Sequence, residues 1–203
     1  MAERSPGPQP DPTEITLDSR NLRGIAHPVR VRMLALLRDE GASTATRLAQ
    51  RLGLNSGATS YHLRQLKTYG FVTEEVGRGT ARERWWRPAH QMTLTNQAEL
   101  LAGESPEMAE TYLRAVAAFA ADATQRAIDE WKSVPEEWRD IGTISDYALR
   151  LTPEEMDALL QEIFAILDRA RRHDAPDPPP ESRRTTVQLQ AFLHPGADRE
   201  GDA

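Results

Sequence analysis

The stretch Thr44-Ala45-Thr46-Arg47-Leu48-Ala49-Gln50-Arg51-Leu52-Gly53-Leu54-Asn55-Ser56-Gly57-Ala58-Thr59-Ser60-Tyr61-His62-Leu63-Arg64-Gln65-Leu66-Lys67-Thr68-Tyr69-Gly70 holds two helical periods parted by a short turn. Ser43 or Thr44 can cap the first helix, which runs through Leu52 and buries Ala45, Leu48, Ala49 and Leu52. Gly53-Leu54-Asn55 makes the turn, Asn55 caps a second helix over 56–69, and Gly70 closes it. With about 100° between successive residues, Thr59, Leu63 and Leu66 share one face of that helix, with His62 at its edge as a half-buried packing residue. Ser60, Tyr61, Arg64, Gln65 and Thr68 look outward, and Ser56 joins them at the first turn. That outward set has donors, acceptors and a cation, but no acid.

Upstream, residues 19–38 read as a helix. Leu22, Ile25, Val29, Met33, Leu34, Leu36 and Leu37 keep helical spacing, Pro28 breaks or restarts it after His27, and Gly41 stops it. Downstream, residues 71–76 and 81–87 read as strands joined by Gly77-Arg78-Gly79-Thr80, a hairpin with a basic tip. Strand alternation puts Arg82 and Arg84 on one face. It also sends one of Trp85 and Trp86 into the core and leaves the other to be covered by a neighbouring helix. Two short helices, a tight turn and a basic hairpin make a winged helix-turn-helix. Its second helix fits the major groove of B-DNA, and the hairpin reaches phosphates or the minor groove. The expected DNA contacts are Ser56, Ser60, Tyr61, Arg64, Gln65, Thr68, Arg78, Arg82 and Arg84.

Charge is divided along the 203 residues. The net charge is −6, yet residues 20–90 hold 13 Lys and Arg against 5 Asp and Glu, a balance of +8. Residues 91–203 hold 11 against 22, a balance of −11. A basic segment in an acidic chain suits a module for a polyanion joined to something else. Arginine outnumbers lysine 23 to 2, which suits phosphate and guanine contacts, although GC-rich coding gives the same bias.

His27-Pro28-Val29-Arg30-Val31-Arg32-Met33-Leu34, Leu48-Ala49-Gln50-Arg51-Leu52-Gly53-Leu54, Ser60-Tyr61-His62-Leu63-Arg64-Gln65-Leu66 and Gly70-Phe71-Val72 occur in this order. Together they resemble the ArsR-type winged-helix transcriptional regulators over about residues 20–90. The resemblance implies a homodimer on a near-palindromic operator, often a repressor released by a ligand. The paired cysteines of that group's arsenic sensors are missing, because the chain has no cysteine. Its five histidines (His27, His62, His90, His173, His194) show no spacing for a tetrahedral site. No metal and no cofactor is expected. The acidic region after residue 140 is an addition to the minimal family pattern.

The rest of the chain reads as regulatory. A long amphipathic helix over about 106–132 carries Met108, Tyr112, Ala115, Val116, Phe119, Ala123, Ile128 and Trp131 on one stripe. With Leu22, the stripe residues Met108, Tyr112, Val116, Phe119 and Ile128 are the expected dimerisation set. Residues 143–151 and 185–193 read as strands. Between them Thr152-Pro153-Glu154-Glu155 opens a helix with a capping box, running to about residue 173 and burying Met156, Leu159, Leu160, Ile163, Phe164 and Leu167. Phe119, Trp131, Trp138 and Phe164 are candidates to line an effector pocket.

The expected fold class is mainly α (α+β), a winged helix-turn-helix followed by a long dimerisation helix and a small C-terminal α/β segment. The expected divisions are a disordered tail over 1–18, a DNA-binding domain over 19–92, the dimerisation helix over 104–133, a strand-helix-strand segment over 141–194 and a disordered tail over 195–203. There is no Gly-rich phosphate loop and no nucleophile elbow, so no catalytic residue is assigned. The longest all-apolar run, 115–121, is seven residues, far short of the roughly 20 that cross a membrane. A cytoplasmic regulator of double-stranded DNA is the expectation, and a winged-helix module for a partner protein is the alternative.

Overall fold

Side-chain caps open most of the helices. In the computed structural model, which describes residues 14–75, 77–78, 83–170 and 177–193, the chain divides into two units, Met1–Lys132 and Ser133–Ala203. In the first unit β1 (Glu14–Thr16) leads into α1 (Ser19–Ile25), whose cap Asp18 accepts the Asn21 N–H at 2.7 Å. Helix α2 (Pro28–Glu40) begins with Pro28 at its first position, and His27 Nδ1 accepts the Val29 N–H at 3.1 Å. The expected restart after His27 therefore yields two separate helices. Proline has no N–H and disfavours helical geometry in the residue before it.

Thr44, in the short β2 (Ser43–Thr44), accepts the Arg47 N–H at 3.3 Å and opens α3 (Ala45–Leu52). Gly53 then turns the chain at φ +66°, a left-handed conformation that glycine adopts without a Cβ clash. Asn55 Oδ1 accepts the Ala58 N–H at 2.8 Å to open α4 (Ser56–Thr68). The antiparallel β3 (Val72–Glu74) and β4 (Trp85–Pro88) follow, and β2 completes a sheet of order β2-β4-β3, with Ser43 and Glu74 both opposite Trp86. Next come β5 (Met92–Leu94), α5 (Gln97–Ala102) and α6 (Pro106–Asp129).

One apolar core joins these elements. Leu22, Ile25, Met33, Leu37, Leu63, Leu66 and Phe71 are sealed from solvent, and fully burying one such side chain contributes about 1.5–3 kcal/mol. Helix α6 packs on α1, α2 and α5, burying Ala109, Tyr112 and Ala115. Helix α1 meets α4 closely, since a Cβ on Gly24 would lie 2.3 Å from Tyr69 Cβ. Arg38 is half-buried and ties α2 to the strand side: its Nε donates to the His90 carbonyl and its guanidinium to Thr93 Oγ1, both at 2.9 Å. Burial brings its pKa down to about 10, so it stays cationic at neutral pH.

Several expectations are corrected. The tail does not extend to residue 18: β1 pairs in parallel with β5, and Leu17 joins the core. A proline-rich start reads as disordered, whereas this short pairing depends on a strand some 80 residues away, a separation that lies between Glu14 and Met92. The hairpin strands are shorter than 71–76 and 81–87, and β5 and α5 were not expected. The stripe of α6 is sealed only over its first half. Val116, Ile128 and Trp131 are exposed, and the helix ends at Asp129 before a 3-10 turn, Trp131–Ser133.

In the second unit α7 (Glu136–Arg139) precedes α8 (Pro153–Arg169). The capping box forms as expected: Thr152 Oγ1 accepts the Glu155 N–H at 3.2 Å, and Glu155 accepts the Thr152 N–H at 2.8 Å. Burial does not follow. No α8 residue is buried, Phe164 is 50% exposed, and Met156, Leu159, Leu160, Ile163 and Leu167 are half-buried. Residues 143–151 and the described 185–193 form no ladder strand and are exposed. An alternating sequence becomes a strand only when a neighbouring edge accepts it. The expected tail over 195–203 and the end of the helix near residue 173 lie outside the described residues. The architecture as a whole is α+β, a winged helix-turn-helix with small sheets.

Candidate nucleic-acid interface

Helix α4 shows one polar face because its other face is sealed. Thr59, Leu63 and Leu66 are buried, and Thr59 Oγ1 donates to the Asn55 carbonyl at 3.0 Å. Opposite them Ser56, Tyr61, Arg64 and Thr68 are exposed, with Ser60 and Gln65 half-buried at the margin. Tyr61 is 53% exposed, unusual for so large a ring. The Thr68 hydroxyl donates to the Arg64 carbonyl at 2.9 Å, so its remaining capacity is as an acceptor. His62 is half-buried, its ring 4.6 Å from that of His27.

The wing differs in electrostatics. Arg84 lies 3.5 Å from Glu74, which also accepts from Lys67 Nζ at 2.7 Å. The Lys67 hydrogen bond, foremost, holds the Glu74 carboxyl below its ordinary pKa. Arg78 pairs with Glu75 at 3.2 Å and stacks over the Trp85 ring at 3.9 Å. Arg47, from α3, lies 4.8 Å from the same ring. Both rings are buried: Trp86 enters the core cluster, while Trp85 is covered by these two guanidinium groups, one from α3 and one from the wing, where a neighbouring helix alone was expected. Arg82 lies outside the described residues. Arg47 and Lys67 were not assigned from sequence. Each owes its place to a partner outside its own helix, Trp85 for one and Glu74 for the other.

The dimerisation set separates into two groups. Leu22 and Tyr112 are buried in this chain's own core and present little surface to a second copy. Spacing along α1 and α6 identifies an apolar stripe but not what covers it. Val116 and Ile128 are exposed, Phe119 is half-buried, and Met108 packs against the core. Of the candidate effector residues, Phe119 and Trp131 belong to the first unit and Trp138 and Phe164 to the second. A cavity of about 430 Å³ in the first unit is lined instead by Ser19, Arg20, Arg23, Thr68, Tyr69 and Glu104. Among the described residues no group of three or more His, Cys, Asp or Glu could hold a metal ion. No helix among them is long and apolar enough to cross a membrane.

Residues 25–75 match a family described as a helix-turn-helix domain. No curated protein matches the chain. Among solved structures, the transcriptional regulator Tm0710 from Thermotoga maritima is 16% identical, with 72% of this chain and 79% of that one covered at a TM-score of 0.31. The YusO protein from Bacillus subtilis is 13% identical, with 74% and 84% covered, also at a TM-score of 0.31. With the family match spanning α2 to β3 and the β3–β4 hairpin beside it, this part of the chain is a winged helix-turn-helix domain.

Proposed function

We propose that the protein is a sequence-specific DNA-binding transcriptional regulator, a repressor of the ArsR type acting as a homodimer on an inverted-repeat operator. The observation that carries this reading is the outward face of α4, with Ser56, Ser60, Tyr61, Arg64, Gln65 and Thr68 and no acid. Its residue types suit base edges and phosphates in a major groove. Arg78, Arg84 and Arg82 of the wing contact the backbone, with Glu74 and Glu75 giving up their partners to phosphate. The domain over 19–92 binds DNA, the helix over 104–133 pairs the subunits through Val116, Phe119 and Ile128, and the segment over 141–194 regulates the dimer. Two recognition helices about 34 Å apart then enter successive major grooves. The effector, if the regulator responds to one, is a small molecule and not a metal. The protein works in the cytoplasm and performs no catalysis.

The test is fluorescence anisotropy on a labelled duplex from upstream of the protein's own gene, beside a shuffled duplex, at two salt concentrations. Tight, sequence-dependent and salt-sensitive binding is expected. Equal weak binding to both duplexes would remove the specific readout. Absence of binding at low salt would favour the second reading, a winged-helix module for a partner protein. The wing ion pairs Arg78–Glu75 and Arg84–Glu74 favour that reading, because they present a neutralised surface.

A further inference from the structure

At the seam between α2 and α4, His27, Arg30, Tyr61 and His62 gather. Tyr61 meets His62 edge-on at 5.5 Å, and the His62 ring lies 4.6 Å from that of His27. Arg30 Nε and His62 Nδ1 are both shut off from solvent, and neither has a hydrogen-bond partner among the described residues. Among the described residues, the charged and titratable groups acting on this cluster are His27, Arg30, Tyr61 and Tyr69, with no carboxylate among them. In the wing, by contrast, Arg78 and Arg84 each have a glutamate. Buried polar atoms are ordinarily hydrogen-bonded, so two of them unpaired among the described residues beside the Arg30 charge suit an anionic acceptor.

The two histidines are not equivalent. His27 Nδ1 accepts the Val29 N–H at the start of α2, so protonation there would destroy the cap. His62 has no such duty. Burial foremost, then His27 and Arg30, keeps its pKa below the ordinary value, and it is neutral at pH 7 until a counter-charge arrives.

We propose that Arg30 and His62 form a phosphodiester subsite at the edge of the α4 reading face, holding one backbone phosphate of the duplex whose bases that face reads. The subsite rests on the DNA-binding reading. Arg30 supplies the fixed charge and the planar donor fork that suits phosphate oxygens. His62 takes up a proton as the phosphate docks, so affinity rises as pH falls towards the free protein's His62 pKa. The contact carries no sequence information.

Anisotropy of Arg30→Gln on the upstream and shuffled duplexes tests it. The slope of log affinity against log salt should flatten by about 1 on both, with a several-fold loss of affinity that leaves the preference between them unchanged. Arg30→Lys should restore the slope. His62→Gln should abolish the tightening of binding as pH is lowered. An Arg30→Gln slope equal to wild type overturns the subsite, and so does a loss confined to one duplex. If Arg30→Gln loses its far-UV helical signal, calorimetry of the wild type in two buffers of different ionisation enthalpy decides, with proton uptake on binding expected and zero uptake overturning it. A wild type that binds neither duplex at any salt removes the DNA reading and the subsite together. Binding with unaltered slope and pH profile in the variants removes the subsite alone.

Discussion

Helices α4 and α8 are built to similar local rules. Each begins at a polar cap whose side chain accepts a backbone N–H, Asn55 in one and Thr152 in the other, and each carries apolar residues at helical spacing. The caps favour α8, which has the full capping box. Yet α4 seals Thr59, Leu63 and Leu66, while α8 seals none of its residues. Helix α4 lies against α1, α2, α3 and β3, whereas among the described residues of its own unit α8 has no partner that closes over its stripe. Periodicity says which side of a helix is apolar. What covers that side depends on elements far away in sequence.

The largest effect that separates the two helices is a core truncation. Leu63→Ala should cost about 2–5 kcal/mol in urea unfolding, while Leu160→Ala in α8 costs under about 1 kcal/mol in dilute protein. Equal costs would break the comparison and show that the α8 face is covered in solution. On the outward face of α4, Arg64→Ala should weaken DNA binding by about 1–3 kcal/mol and leave the thermal unfolding midpoint unchanged. Unchanged affinity in a folded variant would take Arg64 out of the interface.

Capping sharpens the comparison at about 1 kcal/mol per cap. Asn55→Ala should lower the global unfolding free energy by that amount, because α4 melts with the core. Thr152→Ala should appear only as lost far-UV helicity. A global loss from Thr152→Ala would tie α8 to the cooperative unit.

The smallest effect is a pH dependence. Burial and Arg30 hold the His27 pKa below its ordinary value in the folded protein, so the unfolded chain binds the proton more readily. Stability is therefore full above the unfolded value, about 6.5, and falls as pH drops below it towards the folded pKa. His27→Asn keeps a side chain able to cap α2 and should flatten that fall, as read by urea midpoints across pH 5–7.5. A fall as steep as in the wild type would assign it elsewhere, with His62 the next group to test.

The candidate site was legible where its signals are local. Asn55, Gly53 and the Thr59-Leu63-Leu66 spacing sufficed to put Tyr61 and Arg64 outward. The wing was legible as a basic hairpin, but not its neutralisation, because Glu74 meets Arg84 across the hairpin and Lys67 from another element. Strand β1 was illegible for a similar reason. Three residues carry too little alternation to stand out, and their ladder partner is β5.

By itself the sequence determined the caps, the turn at Gly53, the break at Pro28 and the acid-free face of α4, since each depends on backbone preferences and groups within a few residues. Only the tertiary structure decided that Leu22 and Tyr112 are buried in the chain's own core, that Glu74 and Glu75 pair with Arg84 and Arg78, and that Arg30 and His62 come together with no acid beside them among the described residues. Those outcomes join residues distant along the chain, and burial and charge pairing follow from proximity in space.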